Sequence, residues 1–244
     1  MTTAPAADQV RLLAVQDLDT HLDQLAHRRR TAPVLATIAD LEARATDLSS
    51  ALVTSRTAAS DLRRELSKAE SDVEQVRGRA HRDGLRLDAG QVSAKDVQAL
   101  TSEIATLGRR QEVLEEIELD VMERLEAHTG VLAELESAHA AVVAELTAAE
   151  AARDADFAAL DDEVAQLTDE RSRAADGLDP TLLALYERLR GHLSGRGAAT
   201  LQGRQCLGCR MELGPVDLEE IRRAADDQVT RCPECGRILV RAAA

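Results

Sequence analysis

Aromatic side chains are almost absent from this sequence of 244 residues. They make up 1% of it, as Phe157 and Tyr186, and there is no Trp. A compact domain of this length normally fills its interior with several aromatic rings. The composition therefore disfavours a single globular core.

Long apolar runs are missing as well. No stretch approaches the roughly 18 apolar residues that a membrane-spanning helix needs. The opening segment "MTTAPAADQV" also lacks the apolar centre of a signal peptide. We therefore expect a cytoplasmic protein with no membrane partner.

Basic residues are outnumbered by acidic ones, 30 to 44, which gives a formal net charge of -14. The imbalance lies in residues 1–180, with twenty basic and thirty-six acidic side chains, whereas residues 181–244 hold ten Arg against eight acids. This distribution disfavours a nonspecific nucleic-acid coat along the whole chain. The acidic part instead favours basic protein partners.

The residues that are abundant favour long helices with a coiled-coil repeat. Apolar residues recur at alternating steps of three and four from Ile38 to Ala80, and again from Val97 to Leu167 with one correction of frame. Such a repeat keeps one apolar stripe of a helix against a partner helix. Pro33 precedes the first repeat, and we expect a kink there because its ring clashes with the preceding helical turn.

The two repeats predict one helix over residues 7–82 and a second over residues 93–175, capped by Ser93 with Asp96 three residues on. Helices of nearly equal length joined by a short turn, rich in Gly and Asp, fold back as an antiparallel hairpin. We expect this coiled-coil hairpin to occupy residues 1–179, with its tip at about residues 83–93.

The hairpin makes a prediction about which residues face each other. Residue n should lie near residue 176 minus n, which places Arg153 opposite Asp23 and His128 near Leu48. A single continuous helix that dimerises in parallel is the alternative, but it would have to carry two glycines of the turn in mid-helix.

All four cysteines lie in two Cys-x-x-Cys pairs with 22 residues between them. Each short turn directs two thiolates to one ion, and two such turns complete a tetrahedron, so this is the strong form of a structural zinc signal. A redox pair would need one motif in a βαβ unit, disulfides are disfavoured in the cytoplasm, and a catalytic zinc keeps an open position. We predict one structural Zn2+ bound by Cys206, Cys209, Cys232 and Cys235.

Residues 180–244 are predicted to form a docking helix followed by a C4 zinc ribbon. The segment "PTLLALYERLRG" is an amphipathic helix, on which Tyr186 is expected to be a packing residue. Short strands are expected at "AATLQGRQ", "DQVTR" and "RILVR", and Gly208 and Gly236 suit tight turns. So small a domain buries little apolar surface, so we expect the metal to supply much of its stability. The fold class is mainly α.

Arginines surround the two cysteine pairs, and we treat them as candidate nucleic-acid contacts. Without neighbouring aromatic rings they would bind phosphate rather than stack on bases. A solvated surface of mixed charge is the alternative. The candidates are Arg188, Arg190, Arg196, Arg204, Arg210, Arg231, Arg237 and Arg241.

Signals for catalysis are lacking. The sequence has no glycine-rich phosphate loop, no recognisable Ser/His/Asp set and no open metal site, and a two-helix coiled coil offers no pocket for a substrate. We therefore expect no enzyme activity and no small-molecule substrate.

The chain resembles the bacterial zinc-ribbon family with an N-terminal coiled-coil hairpin over nearly its full length. The likeness is best in "DVQALTSEIATLGRR", in "LLALYERLR", and in "CLGC" followed by "RCPECGRIL". It implies an adaptor. Relatives are described as nucleic-acid or RNA-binding proteins, and some are tied to sigma-factor partners, flagellar gene control or type III secretion. Relatives usually carry Leu-Tyr at the tip, where this sequence has Leu87-Asp88, so contacts made by the tip are expected to differ.

Two functional hypotheses follow. In the first, the chain is an adaptor whose ribbon binds RNA, DNA or a nucleic-acid machine and whose coiled coil binds a protein partner. In the second, it is a purely protein-binding scaffold or chaperone-like adaptor without nucleic-acid contact.

Overall fold

The computed structural model describes residues 2–90 and 92–241 and is built mainly from helices. Four helices precede a small three-stranded sheet, and a fifth short helix lies between its second and third strands. The elements are α1 (Ala6–Arg30), α2 (Pro33–Asp88), α3 (Ala94–Ala175), α4 (Pro180–His192), β1 (Ala198–Gln202), β2 (Gln205–Cys206), α5 (Pro215–Arg223) and β3 (Ile238–Arg241).

The chain divides into two compact units, residues 37–150 and residues 1–36 together with 151–244. This grouping differs from the predicted division at residue 179, because α1 shares a core with α4 and the sheet. Leu12 and Val15 of α1 are fully buried in one cluster with Tyr186 of α4 and Ile238 of β3.

The unit of residues 37–150 holds parts of α2 and α3 that run antiparallel. Helix α2 extends to Asp88, six residues beyond the predicted end, because Gly84 is accommodated in the helix. Gly90 adopts a φ of +64° in the turn that follows. Helix α3 then begins as predicted, since the Ser93 hydroxyl accepts a hydrogen bond from the backbone N–H of Asp96 at 3.3 Å and donates to its carboxylate at 2.6 Å.

The pairing of the two helices is shifted from the prediction. His128 Nε2 lies 3.1 Å from the Ser55 hydroxyl, seven residues along from the expected Leu48. The longer α2 accounts for the shift, because it moves the centre of the turn toward α3. Most of the predicted coiled-coil core positions are buried or half-buried, as for Leu52, Ala59 and Val121, but Val97 near the start of α3 is 40% exposed.

The break between α1 and α2 lies next to Pro33, which is the first residue of α2. Thr31 follows α1 as its C-cap, and its backbone N–H donates to the His27 carbonyl at 3.0 Å. Pro is favoured at the first position of a helix because its missing N–H would have no partner there.

One predicted contact across the hairpin is absent. Arg153 pairs with its neighbour Asp154 at 2.8 Å. Asp23, its expected partner, instead accepts a hydrogen bond from Arg190 Nη2 at 2.8 Å. The shifted pairing takes Arg153 away from Asp23, since Arg29 of α1 already pairs with Asp161, and α4 brings Arg190 to the Asp23 carboxylate.

The sheet of the C-terminal region has the strand order β2-β1-β3. Strand β1 pairs antiparallel with β2 and parallel with β3, with Ala198 opposite Ile238. The predicted strand at "DQVTR" does not form a strand of this sheet. Its residues make only isolated bridges, from Gln228 to Thr3 and from Arg231 to Ile238. None of the described helices combines the length and apolar character needed to cross a bilayer.

Candidate metal centre and surrounding arginines

Two short turns carry the four cysteines to one place. Cys206 ends β2, and its carbonyl accepts a hydrogen bond from the Arg210 N–H at 2.7 Å. In the second turn, the Cys232 carbonyl accepts from the Gly236 N–H at 2.8 Å. The residue that follows the second cysteine of each pair has a left-handed backbone conformation, with φ of 62° at Arg210 and 73° at Gly236.

The four sulfur atoms lie within 4.8 Å of one another. Cys206 Sγ is 4.0 Å from Cys235 Sγ, and Cys209 Sγ is 3.9 Å from Cys232 Sγ. Thiolates held about 2.3 Å from a tetrahedral zinc ion lie about 3.8 Å apart, whereas a disulfide joins its sulfurs at about 2.05 Å. The geometry fits one zinc ion with a closed four-thiolate shell and excludes disulfides.

Burial disfavours ionisation of two of the four thiols, those of Cys206 and Cys232. It raises the pKa of Cys206, and it raises that of Cys232 to about 12. Burial acts in the same direction on Cys235, but the backbone N–H and the side chain of Arg237 bond to its sulfur and help bring its pKa down to about 7. Zinc therefore displaces protons when it binds, and acid weakens its affinity.

The two glycines singled out in the sequence have different roles. Gly236 takes the left-handed conformation that was predicted. Gly208 is needed for space instead, since a Cβ there would lie 2.7 Å from Arg237 Cδ and 2.9 Å from Ala199 Cβ.

The cysteines rest on a small apolar core. Cys206 and Cys232 are buried in a cluster whose other members come from the sheet, α5 and the loop between them. Those members are Ala199, Leu201, Leu213, Leu218, Ile221 and Leu239. Its small size agrees with a ribbon that depends on its metal.

Three of the eight candidate arginines hold the structure together. Arg237 donates from Nε to the Arg196 carbonyl at 3.0 Å and from Nη2 to the Leu193 carbonyl at 3.1 Å. Arg241 donates to the Ala224 carbonyl at 2.6 Å, at the end of α5. Arg190 is paired with Asp23. These guanidinium groups already have partners within the chain, which makes them less available to a nucleic acid than the exposed arginines.

The remaining candidates are exposed. Arg231 donates from Nε to the Gly236 carbonyl at 2.7 Å, within its own turn. The side chains of the other four make no hydrogen bond or ion pair with any residue that the structure describes. They are Arg188, Arg196, Arg204 and Arg210.

A buried charged network beside the ribbon was missed by sequence reasoning. Asp19 of α1 is 1% exposed and accepts hydrogen bonds from the Tyr186 hydroxyl at 2.6 Å and from Arg171 Nε at 2.8 Å. Arg171 also pairs with Glu187. The only signal in the sequence was an Asp at a coiled-coil flank, which ordinarily faces solvent. Tyr186 is fully buried, as expected for a packing residue.

The first residues of the chain are attached to the ribbon, which the sequence also did not reveal. The Ala4 N–H donates to the Asp227 carbonyl at 2.7 Å, and the Val229 N–H donates to the Thr2 carbonyl at 3.0 Å. The side-chain oxygen of Gln16 accepts from the N–H of Gly197 at 2.8 Å, at the start of the sheet. The ribbon is therefore packed against α1 and its preceding segment.

Comparisons with known proteins agree with this architecture. The CT398-like coiled coil hairpin domain family matches residues 15–194, and the C4-type zinc ribbon domain family matches residues 205–239. The Mycobacterium tuberculosis protein Rv2229c is 38% identical over 98% of this chain and 97% of its own.

Solved structures show the same fold. A structure from Mycobacterium smegmatis is 36% identical, covers 98% of this chain and 100% of its own, and has a TM-score of 0.87. The structure of CT398 from Chlamydia trachomatis is 21% identical, covers 97% of this chain and 98% of its own, and has a TM-score of 0.73. A coiled-coil hairpin with a zinc ribbon fits a non-enzymatic structural or adaptor protein. The chain belongs to the CT398-like family of coiled-coil hairpin proteins, and its four cysteines form a C4-type zinc ribbon.

Proposed function

We propose that this protein is a cytoplasmic adaptor whose zinc ribbon contacts the phosphate backbone of a nucleic acid, while its coiled coil binds a protein partner. One observation carries the first half of the proposal. Arg204 and Arg210 flank the first cysteine pair, and both are exposed with no side-chain bond to the described residues.

The local structure holds these two arginines on one hairpin-like segment. The Arg204 carbonyl accepts from the Leu213 N–H at 2.9 Å, and the Arg210 N–H donates to the Cys206 carbonyl. Zinc fixes the turn between them, so the two guanidinium groups extend from a preorganised backbone. The nearby residues offer no aromatic ring for base stacking, so binding would be electrostatic and insensitive to sequence.

Fluorescence anisotropy with labelled RNA and DNA of mixed sequence tests this proposal. The full zinc-loaded chain should be used, because the ribbon packs on α1 and the first residues. We expect binding that weakens steeply with salt. Replacing Arg204 and Arg210 together by Ala should flatten the dependence of log affinity on log salt by about 1.4 to 1.8, for two lost phosphate contacts.

The control is Arg82→Ala, which removes an exposed arginine far along α2 that has no side-chain partner among the described residues. It should leave the salt dependence unchanged. Absence of binding at low salt, or an equal loss from Arg82→Ala, would overturn the nucleic-acid half of the proposal.

A second function is favoured by a different observation at the same turn. Leu207 is 42% exposed and Met211 is 54% exposed, so the first cysteine pair also presents apolar side chains. Such side chains suit a protein contact. If partners captured with the purified chain survive nuclease treatment, this scaffold function is supported; if all of them are lost, nucleic acid is the ligand.

A further inference from the structure

The helix pair of residues 37–150 has two flanks, which its ion pairs distinguish. On one, which we call the Arg124 flank, Arg124 of α3 reaches Glu65 of α2 at 3.5 Å. On the other, Arg56 pairs with Glu136 and Arg77 pairs with Glu115, each at 2.8 Å. These pairs define which residues of each helix share a flank.

The Arg124 flank of α3 carries a second apolar repeat that faces solvent. Starting at residue 113 and alternating steps of four and three, nine positions lead to residue 141, and six of them are apolar. All six are exposed, with Val113 at 57%, Ile117 at 47% and Val131 at 51%. The six are Val113, Ile117, Ala127, Val131, Ala138 and Ala141.

This repeat is not explained by the pairing of α2 with α3. That pairing uses other positions, such as Leu107, Val121 and Val142, which are buried. On α2, Ala51 and Ala58 lie two heptads and one heptad before Glu65, so they share the flank and are half-buried. An apolar stripe at heptad spacing beside small residues is the surface on which a third helix packs.

The charge of the flank indicates what kind of helix would fit. Over residues 44–72 of α2 and 113–141 of α3, its polar positions hold six carboxylates against three cations, which are Arg44, Lys68 and Arg124. The carboxylates are Asp47, Asp61, Glu65, Asp72, Asp120 and Glu134. Asp72 and Glu134 have no ion pair with any residue in the described ranges, so they are free to pair with a ligand.

A second copy of this chain is a poor occupant, because it would bring the same excess of carboxylates, and the whole chain carries a net charge of -14. Like charges placed face to face oppose association, whereas a positively charged helix gains from the same field. Nucleic acid is disfavoured on this surface for the same reason as a second copy.

We infer that the Arg124 flank is the docking surface for a basic amphipathic helix of the partner protein. The apolar side of that helix would cover Val131 and its neighbours, and its Lys and Arg residues would face the carboxylates. The inference rests on the coiled-coil half of the proposed function and gives that partner a chemical class.

The test uses the full chain and a synthetic peptide of about 21 residues, three heptads with Leu and Ala on one face and Lys and Arg on the other. A scrambled peptide of the same composition controls for charge alone. Val131→Asp should weaken binding of the amphipathic peptide by about tenfold or more, the effect of losing one well-buried apolar contact. Leu119→Asp is the matched control, since Leu119 is 58% exposed and lies one helical turn after Glu115, on the other flank.

Different results support and contradict the inference. Loss in Val131→Asp with no loss in Leu119→Asp, together with weak binding of the scrambled peptide, supports the inference. Equal binding by the scrambled peptide, equal loss in both variants, or a photo-crosslink from position 131 to a second copy of the chain would overturn it. An RNA titration of the same variants measures nucleic-acid binding by the ribbon separately. If the ribbon does not bind nucleic acid, the result with the peptide still stands.

Discussion

Arg210 stands where the second cysteine turn has a glycine. Both residues are left-handed, at φ of 62° and 73°, and only glycine takes that conformation without a steric cost. This strain destabilises the turn, and the exposed guanidinium group makes no bond with the described residues that would offset it. Because Arg210 is both strained and exposed, we expect its substitution to change the stability of the ribbon and its nucleic-acid binding in opposite directions.

Replacing Arg210 by Gly should stabilise the ribbon and weaken nucleic-acid binding. Removal of the left-handed strain contributes about 1 kcal/mol, less the entropy that glycine adds to the unfolded chain. The rate of zinc transfer to a chromophoric chelator measures the first effect, and anisotropy with RNA measures the second. Gly236→Ala is the opposite control and should release zinc faster. A variant that binds RNA as well as the wild type would show that Arg210 is not a contact.

Tyr186 reports on the buried network because it is the single tyrosine of the chain. Its pKa is raised well above the ordinary value, chiefly by burial and further by its hydrogen bond to Asp19. Its folded pKa lies above its unfolded pKa, so its contribution to stability is complete below about pH 10 and is lost as the pH rises further.

The expected result is that no phenolate absorbance appears in the folded protein near pH 10 and that it rises only with unfolding. A spectrophotometric titration alongside circular dichroism checks this directly. In Tyr186→Phe, the fall in stability above pH 10 should be smaller. Phenolate absorbance at about pH 10 in a fully helical protein would contradict the buried hydrogen bond.

At the scale of elements, the sheet and α5 depend on zinc, while the helix pair of residues 37–150 has a core of its own. Cys206→Ser or removal of zinc by a chelator should therefore expose residues 198–241 to proteolysis and leave most of the helical circular dichroism signal. The physical reason is that the apolar core of the ribbon is small, so zinc binding by the four thiolates supplies much of its stability.

Met211→Ser is the matched control for the cysteine variants, because it changes an exposed side chain on the same turn. It should retain one zinc ion per chain and resist proteolysis like the wild type. A Cys206→Ser variant that kept both properties would mean that the four-thiolate assignment is incorrect.

The sequence predicted the elements whose causes are local. Heptad spacing identified both long helices, Ser93 identified the start of α3, and the cysteine spacing identified the zinc site. The end of α2 was missed because Gly84 weakens a helix without ending it. The predicted pairing of α2 with α3 was wrong for the same reason, since it depended on where the turn lies. Asp19, Gln16 and the first residues of the chain were missed because their partners lie more than 150 residues away, where no local pattern reveals them.

The arginines illustrate the same limit within one residue type. From the sequence alone, eight arginines were equal candidates for nucleic-acid contacts, since each lies in the C-terminal part with the cysteines. The structure separates them by their partners, as Arg237 and Arg241 bond to backbone carbonyls while Arg204 and Arg210 do not. Composition gives the number of charges, and only tertiary contacts tell which of them are free to bind.

At the scale of the whole molecule, we assign two ligands of opposite charge to two surfaces in different units. Phosphate is assigned to the arginines at the first cysteine turn, and a basic helix is assigned to the acidic Arg124 flank. An adaptor requires that one chain hold both at the same time. If the two ligands bound one surface, they would compete.

The most direct measurement is therefore a titration of labelled RNA into the full zinc-loaded chain, with and without a saturating amount of the basic amphipathic peptide, followed by mass determination of the complex. The peptide must first be shown not to bind the RNA alone. We expect one RNA, one peptide and one chain per complex, with an RNA affinity changed by no more than about twofold, or roughly 0.4 kcal/mol. Displacement of RNA by the peptide, or a chain that never carries both, would contradict this expectation.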